Sequence, residues 1–169
     1  AIHSFQKGID YSKAIGRDDY LALGYVRLAA FYRKSGQLDE SFYNANNAFT
    51  SSLNINNDSI KIIAAIELGD VYQTKGESLL AYKTYINAFD KAVDIGNSNL
   101  QSEVYHRYSA LYQLLGNREY AKENLIKSLE LNTKFHNPEG IIKDYIALAK
   151  LSDESFYPEK ALVLSQKLK

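Results

Sequence analysis

The side chains that most often bind metals are few and scattered in this sequence. Its three histidines, His3, His106 and His136, lie far apart, and none belongs to an HExxH pattern or stands beside paired acidic residues. A metal site needs three or four converging ligands, and the chain contains no cysteine. We therefore predict no metal site. We expect His136 at the end of a helix and His106 on the groove-facing side of a first helix.

The sequence patterns that usually indicate a catalytic nucleophile or a phosphate-binding loop are also absent. No serine lies in a G-x-S-x-G turn of the kind that exposes a nucleophile. Asp18 and Asp19 could be an acid pair, but carboxylates are also favoured beside the free N–H groups at a helix start. Gly76 and Gly96 fall between helical segments and not between a strand and a helix, so neither predicts a phosphate-binding loop. The sequence therefore predicts no enzyme and no cofactor.

The pattern that organises the chain is a period of 40 residues, which separates Gly36, Gly76 and Gly116. A fixed period of this size is typical of stacked helical repeats. Small residues, aromatic residues and leucines recur at fixed distances from these glycines. The series are Tyr25, Ala65, Tyr105 and Tyr145; Leu28, Leu68, Tyr108 and Leu148; Ala29, Gly69, Ser109 and Ala149; Tyr32, Tyr72 and Tyr112; Ser41, Ala81, Ala121 and Ala161; and Ala45, Tyr85 and Leu125.

The junctions between the units repeat as well. Each ends in Gly or Asn, or in His136, which we expect to adopt the left-handed conformation at a helix end. An Asp, Ser or Asn follows and is expected to cap the next helix, while Pro138 suits a helix start. No segment alternates with a period of two, so we predict no strands. The predicted helices are about 1–15, 18–35, 38–54, 58–75, 78–95, 98–115, 118–135, 138–152 and 157–168.

The repeated residues resemble the tetratricopeptide repeat (TPR) pattern, most closely at Leu68, Gly69, Tyr72, Gly76 and Ala81. This resemblance covers essentially the whole chain. It implies an all-α solenoid of antiparallel helix pairs, wound as a right-handed superhelix, with first helices lining a concave groove. The usual repeat has about 34 residues. The longer repeat is similar to those of bacterial signalling and regulatory proteins and of kinesin light chains.

The same period predicts the organisation of the chain. We expect one domain that begins halfway through a repeat and ends in a degenerate one, where Ser152 replaces the aromatic residue and Phe156 the glycine. This register indicates a fragment of a longer protein. The predicted boundaries are a half repeat at 1–17, repeats at 18–57, 58–97 and 98–137, and a terminal repeat at 138–169.

Composition narrows the class of partner. Twenty basic and 20 acidic side chains give a net charge of zero, so no overall field attracts nucleic acid. No apolar run approaches the roughly 20 residues needed to span a bilayer. The absence of cysteine fits both cytoplasm and periplasm, and we favour the cytoplasm. The predicted partner is a protein or peptide, and self-association through the repeat ends is an alternative.

The candidate binding residues are the polar side chains expected to project from first helices into the groove. Their charges are mixed in sign, which favours a partner surface carrying both signs. The tyrosines of the repeat are interpreted mainly as packing between helices. The predicted groove residues are Arg27, Arg33, Glu67, Asp70, Gln73, Glu103, His106, Arg107, Gln113, Lys143 and Lys150.

From these observations we expect a non-catalytic scaffold that binds a protein or peptide in the groove. The alternative is a sensory segment that binds a signalling peptide or small ligand and controls an attached kinase or DNA-binding domain.

Overall fold

The computed structural model describes residues 2–152 and 156–167, and these residues form helices joined by short turns. They divide into two compact units, Ala1–Ile95 and Gly96–Lys169, which we describe separately. The first unit contains α1 (Ile2–Ala14), α2 (Asp18–Lys34), α3 (Leu38–Leu53), α4 (Asp58–Thr74) and α5 (Ser78–Asp94). The second contains α6 (Ser98–Leu114), α7 (Arg118–Lys134), α8 (Pro138–Leu151) and α9 (Phe156–Lys167).

Consecutive helices pack against one another within each unit. In the first unit α2 packs on α3 and α4 on α5, while α1 packs on α2 and α3 on α4. In the second unit α6 packs on α7 and α7 on α8, and α8 packs on α9. The prediction of an all-α fold built from antiparallel helix pairs is confirmed, and every predicted helix start that lies within the described residues agrees to within one residue.

The turn within each pair depends on a glycine in the left-handed conformation. Gly36, Gly76 and Gly116 have φ of 76°, 79° and 73°, values that side chains with a Cβ rarely adopt. Around Gly76, the N–H of Glu77 donates to the carbonyl of Tyr72 at 2.9 Å, which satisfies a carbonyl at the end of α4. The same arrangement closes the other two turns, so the 40-residue glycine spacing reflects one repeated helix ending.

The junctions between repeats agree with the prediction in part. Gly16, Gly96 and His136 adopt positive φ as expected, but Asn56 does not, so that prediction was wrong. The caps also differ: Asp18, Asp58 and Ser98 are the first helical residues and not caps. The preceding residue is the cap, because the side chains of Asn57, Asn97 and Asn137 each accept a backbone N–H at 3.1–3.2 Å. Arg17, which precedes α2, makes no such bond.

In the first unit, close packing of α4 against α5 centres on Gly69. A Cβ at Gly69 would lie 2.8 Å or less from two ring carbons of Tyr85, so only glycine lets this ring lie on α4. The ring of Tyr85 is fully buried. Tyr72 lies beside this contact and packs on Phe42, with ring centroids 5.8 Å apart. None of the seven repeat tyrosines expected to pack between helices is exposed: Tyr25, Tyr32, Tyr72, Tyr105, Tyr108, Tyr112 and Tyr145.

In the second unit, the core lies between α7 and α8. Ala121 and Leu125 of α7 pack with Leu148 and Leu151 of α8, and Tyr112 and Tyr157 cover the edges of this cluster. In the last helix pair α8 ends at Leu151, and Ser152 has extended backbone. The glycine-equivalent position, 156, begins α9, and residues 153–155 lie outside the described part of the chain.

Replacing Gly69 by alanine tests this packing. We expect Gly69→Ala to lower the free energy of unfolding by about 1–3 kcal/mol, because the added methyl overpacks the ring of Tyr85. Gly8 of α1 is the matched control, since a Cβ there meets nothing within 4 Å. Gly8→Ala should stabilise by up to about 1 kcal/mol through helix propensity. Urea denaturation measures both, and equal effects would contradict the packing argument.

Candidate functional site

The predicted groove residues fall into two groups, one in each unit. Those of the first unit lie on α2 and α4, and those of the second on α6 and α8, the first helices of their pairs. The first group is Arg27, Arg33, Glu67, Asp70 and Gln73, and the second is Glu103, His106, Arg107, Gln113, Lys143 and Lys150.

In the first unit, Arg33 of α2 binds two carboxylates of α4. Its Nε donates to Glu67 Oε1 at 3.0 Å, and its Nη2 donates to Glu67 Oε2 at 3.3 Å and to Asp70 Oδ2 at 3.2 Å. Both acidic residues are 7% exposed, so they lie between helices and not on an open surface. One guanidinium therefore donates hydrogen bonds to two buried carboxylates, as the planar fork of arginine permits.

Tyr85 extends this network to α5. Its hydroxyl lies 2.8 Å from Asp70 Oδ1 and donates to it, and Gln73 Oε1 lies 3.0 Å from the same hydroxyl. The four predicted residues Arg33, Glu67, Asp70 and Gln73 are thus brought together, but around an inter-helix network. Their part in partner binding stays a prediction.

Arg27 is the exposed member of the first group. It lies at the edge of a cavity of about 420 Å³ between α1 and α2, beside Phe5, Leu23 and Gly24. The 40-residue period places Glu67 at the equivalent position of α4, so equivalent positions carry opposite charges in successive repeats.

In the second unit, Glu103 bridges two basic residues. Its Oε1 accepts from Arg107 Nη2 at 2.8 Å along α6, and its Oε2 accepts from Lys143 Nζ of α8 at 2.6 Å. Partial burial works against ionisation of Glu103, but the charge of Arg107 and the hydrogen bond and charge of Lys143 outweigh it. The pKa of Glu103 is consequently lower than usual.

His106 makes a buried polar contact that the sequence did not predict. Its Nε2 lies 2.6 Å from Oδ1 of Asp144, whose other oxygen accepts from Asn132 Nδ2 at 2.7 Å. The Asp144 side chain is fully buried, and that of His106 is 11% exposed. His106 therefore binds α6 to α8, and most of its surface is unavailable to a partner.

A signal for Asp144 and Asn132 was present in the period. Asp144 occupies a position held by small or apolar residues in the other repeats, and Asn132 occupies one held by serine or alanine. A polar side chain at such a position requires a buried partner. The equivalent residues are Gly24, Ala64 and Val104 for Asp144, and Ser12, Ser52 and Ala92 for Asn132.

The remaining predicted residues of this unit are exposed. Gln113 lies at the end of α6, and Lys143 and Lys150 lie on the outer side of α8. Ile146, which the sequence analysis missed, is 46% exposed between these two lysines. Because residues three and four apart share one helix face, these three side chains form a stripe with an apolar centre and basic ends.

The Asp18–Asp19 pair has no catalytic geometry. Asp19 is bound by Arg17, with Nε to Oδ1 at 2.9 Å and Nη2 to Oδ2 at 2.8 Å. The hydrogen bonds from Arg17 lower the pKa of Asp19 to about 2, so at neutral pH this carboxylate has no proton to donate as a general acid and is only a weak base. Within the described ranges, no group of three or more His, Asp or Glu side chains could hold a metal ion. No described helix is both long and apolar enough to cross a membrane.

Comparison with known proteins places the fold among the TPR-like helical repeats. The sequence matches no protein-family model and none of the curated proteins. BtubC (BKLC) from P. vanneervenii superposes with a TM-score of 0.80 at 15% identity, over 99% of this chain and 73% of that chain. Kinesin light chain TPR-like repeats from Podosopora anserina superpose with a TM-score of 0.65 at 14% identity, over 98% and 82%.

A third similar structure is a signal transduction ATPase with numerous domains from Pyrococcus horikoshii, which carries a tetratricopeptide repeat sensor. It matches 89% of this chain but 23% of its own length, with a TM-score of 0.65 at 19% identity. The chain therefore has a TPR-like α-solenoid fold, and the resemblance inferred from the glycine period is confirmed. Sequence identities this low support a shared fold, but they do not show that this chain has the activity of any similar structure.

Removing Arg33 tests the network of the first unit. Arg33→Met should destabilise the protein by about 3 kcal/mol, because it removes a cation that is bound to two buried carboxylates, Glu67 and Asp70. Arg27→Met, on the exposed side of the same helix, should change stability by less than about 0.5 kcal/mol. A double-mutant cycle combines Arg33→Met with Glu67→Gln. If their effects on the free energy of unfolding are strictly additive, the pairing of Arg33 with Glu67 is contradicted.

The charge of Lys143 should be detectable in the titration of Glu103. In Lys143→Gln we expect the pKa of Glu103 to move back toward its ordinary value, as measured by carbon-detected NMR. A depressed pKa contributes stability above the ordinary pKa of about 4.3, and the contribution is lost as the pH falls through the folded-state value. The stability difference between wild type and variant should accordingly shrink in acid. An unchanged Glu103 titration would contradict the bridge.

Proposed function

We propose that the chain is a non-catalytic binding module that holds a peptide segment or protein surface along its first helices. The observation that carries the proposal is the exposed stripe of α8, Lys143, Ile146 and Lys150, with Arg107 and Glu103 of α6 beside its start. A rigid helical face that presents an apolar residue between charges suits recognition of an extended or helical peptide.

The charges of this surface define the chemistry of the partner. Three basic side chains lie at or beside the stripe with two acidic ones, Glu103 and Glu139. Glu139 is exposed four residues before Lys143 on the same helix, and Glu103 is already shared by Arg107 and Lys143. The net positive charge favours a segment with acidic residues spaced to meet the lysines and an apolar residue to cover Ile146. The sequence analysis predicted a partner surface that carries both signs of charge. The side chains of the stripe favour a partner surface that is mainly acidic.

The first unit contributes less to this surface. Glu67 and Asp70 are buried in ion pairs with Arg33, so a partner would need to displace those pairs to reach the carboxylates. Breaking such pairs costs more than exposed contacts return. We accordingly place the binding face on the second unit and keep Arg27 as the exposed candidate of the first.

Charge reversal on α8 tests the proposed face. Lys143→Glu with Lys150→Glu should abolish selection of acidic peptides from a displayed random library, because it replaces attraction by repulsion. Lys127→Glu with Lys134→Glu, two exposed residues of α7, makes the same change in net charge and is the matched control. The control should select the same peptides as wild type. If the α8 variant does so too, the face is wrongly assigned.

A sensory role is the second candidate, favoured by the Pyrococcus horikoshii protein in which a tetratricopeptide repeat array is a sensor. In this role, ligand binding to the array would control an effector in the same polypeptide. The gene sequence flanking residues 1 and 169 tests it: a kinase or helix-turn-helix motif in the same reading frame supports a sensor, and a chain without one favours a separate scaffold.

A further inference from the structure

A second cavity lies in the first unit, on the side of α4 that faces away from Glu67 and Asp70. Its volume is about 580 Å³, and it opens between α3, α4 and α5. Ala65, Leu68 and Tyr72 of α4 form its floor, and Phe49 and Leu80 form its walls. We call it the Ala65 cavity. Its size lies within the range of roughly 300–1,000 Å³ found for small-molecule sites.

The floor of the Ala65 cavity lacks a ring that the other repeats carry. Position 65 belongs to a repeat series in which the other three members are tyrosine, and Ala65 is the exception. The fold accommodates a tyrosine at this position in every other repeat, each of them partly buried. The other members are Tyr25, Tyr105 and Tyr145.

The preceding repeat provides an internal comparison, because an equivalent cavity of about 520 Å³ lies between α1, α2 and α3. There the tyrosine is present, and Lys13 Nζ lies 5.6 Å from the centroid of the Tyr25 ring. Glu40 lies at the position equivalent to Leu80, and Lys13 at that of Leu53, so its walls are charged where those of the Ala65 cavity are apolar. The apolar lining therefore distinguishes the Ala65 cavity from its equivalent in the preceding repeat.

The rim of the Ala65 cavity is basic. Lys61, Lys83 and Lys91 surround it together with one acidic residue, Asp90. Lys61 already binds Asp58 at 3.0 Å. Lys83 and Lys91 are exposed and, among the residues that the structure describes, form no ion pair. Two cations beside an apolar hollow favour a ligand that combines an apolar body with an acid group.

We propose that the Ala65 cavity binds a small anionic amphiphile, with an aromatic or alkyl body over Ala65 and an acid group directed toward Lys83 and Lys91. The body takes the space that a tyrosine ring occupies in the other repeats, and its burial supplies most of the affinity. The lysines orient the acid group. This site goes beyond the proposed peptide-binding function, since it lies between second helices and uses none of the residues of the α8 stripe.

The test uses anilinonaphthalene sulfonate, a fluorescent aromatic anion, on the intact protein. We expect a saturable rise in fluorescence, with chemical-shift changes in the methyl groups of Ala65, Leu68 and Leu80. Ala65→Tyr restores the residue of the other repeats and should weaken this signal, because the ring takes the space over the floor that the probe would occupy. Lys83→Glu with Lys91→Glu removes two exposed ion pairs to the acid group, each of which contributes at most about fivefold to the affinity. The double variant should therefore bind the probe about tenfold more weakly. The uncharged analogue N-phenylnaphthylamine should bind more weakly than the sulfonate.

Further measurements separate binding in the Ala65 cavity from changes in overall charge, folding or self-association. Lys7→Glu with Lys34→Glu reverses two exposed lysines elsewhere in the first unit and should leave binding unchanged. Circular dichroism shows whether Ala65→Tyr is folded, and if it is not, the lysine variants and the methyl shifts decide. Equal binding by folded Ala65→Tyr, or by the uncharged analogue, would overturn the proposal. So would a probe signal that falls as sedimentation shows dimers forming, because a second copy would then occupy the cavity.

Discussion

The contact between Gly69 and the ring of Tyr85 joins packing to electrostatics in the first unit. The missing Cβ lets the ring lie on α4, and this position carries the Tyr85 hydroxyl to within 2.8 Å of Asp70. Asp70 in turn shares Arg33 with Glu67, so a steric fit between α4 and α5 determines how α2 is bound to α4. A buried ion pair returns its desolvation cost only when further hydrogen bonds satisfy its oxygens, and Tyr85 supplies one.

The repeat imposes one geometry on each position and leaves its chemistry open. Val26 packs with Ala64 in the first unit, whereas the equivalent residues of the second unit are His106 and Asp144, which form a hydrogen bond. The same positions therefore hold an apolar contact in one unit and a polar one in the other. Position 65 shows a third outcome, in which an alanine replaces the tyrosine of the other repeats and lies on the floor of a cavity with apolar walls. The backbone therefore repeats from pair to pair, while the side chains give each pair a different surface.

The helices, their turns and the TPR-like fold could be predicted because they depend on local signals that recur every 40 residues. A glycine at positive φ ends the helix that precedes it. The small residues between paired helices recur at fixed distances from that glycine. Asn56 was mispredicted because Asn tolerates the left-handed conformation without requiring it.

The candidate site was harder to predict, because side-chain pairing acts between helices. The polar pattern located Glu67, Asp70 and His106 on first helices correctly, but it did not reveal that Arg33 and Asp144 would bind them. Such pairs join residues 34 to 38 positions apart and depend on how two helices lie against each other. Exposure of Ile146 likewise follows from packing and not from its residue type.

The environment of Tyr85 gives the protein an intrinsic optical reporter. The chain has no tryptophan, so its near-ultraviolet absorption and emission come chiefly from 14 tyrosines. A phenol that is fully buried and hydrogen-bonded to a carboxylate absorbs at longer wavelength and emits more weakly than one in water. Tyr85 should therefore contribute to the spectral change when α5 leaves α4, and it reports on the charged network without a label.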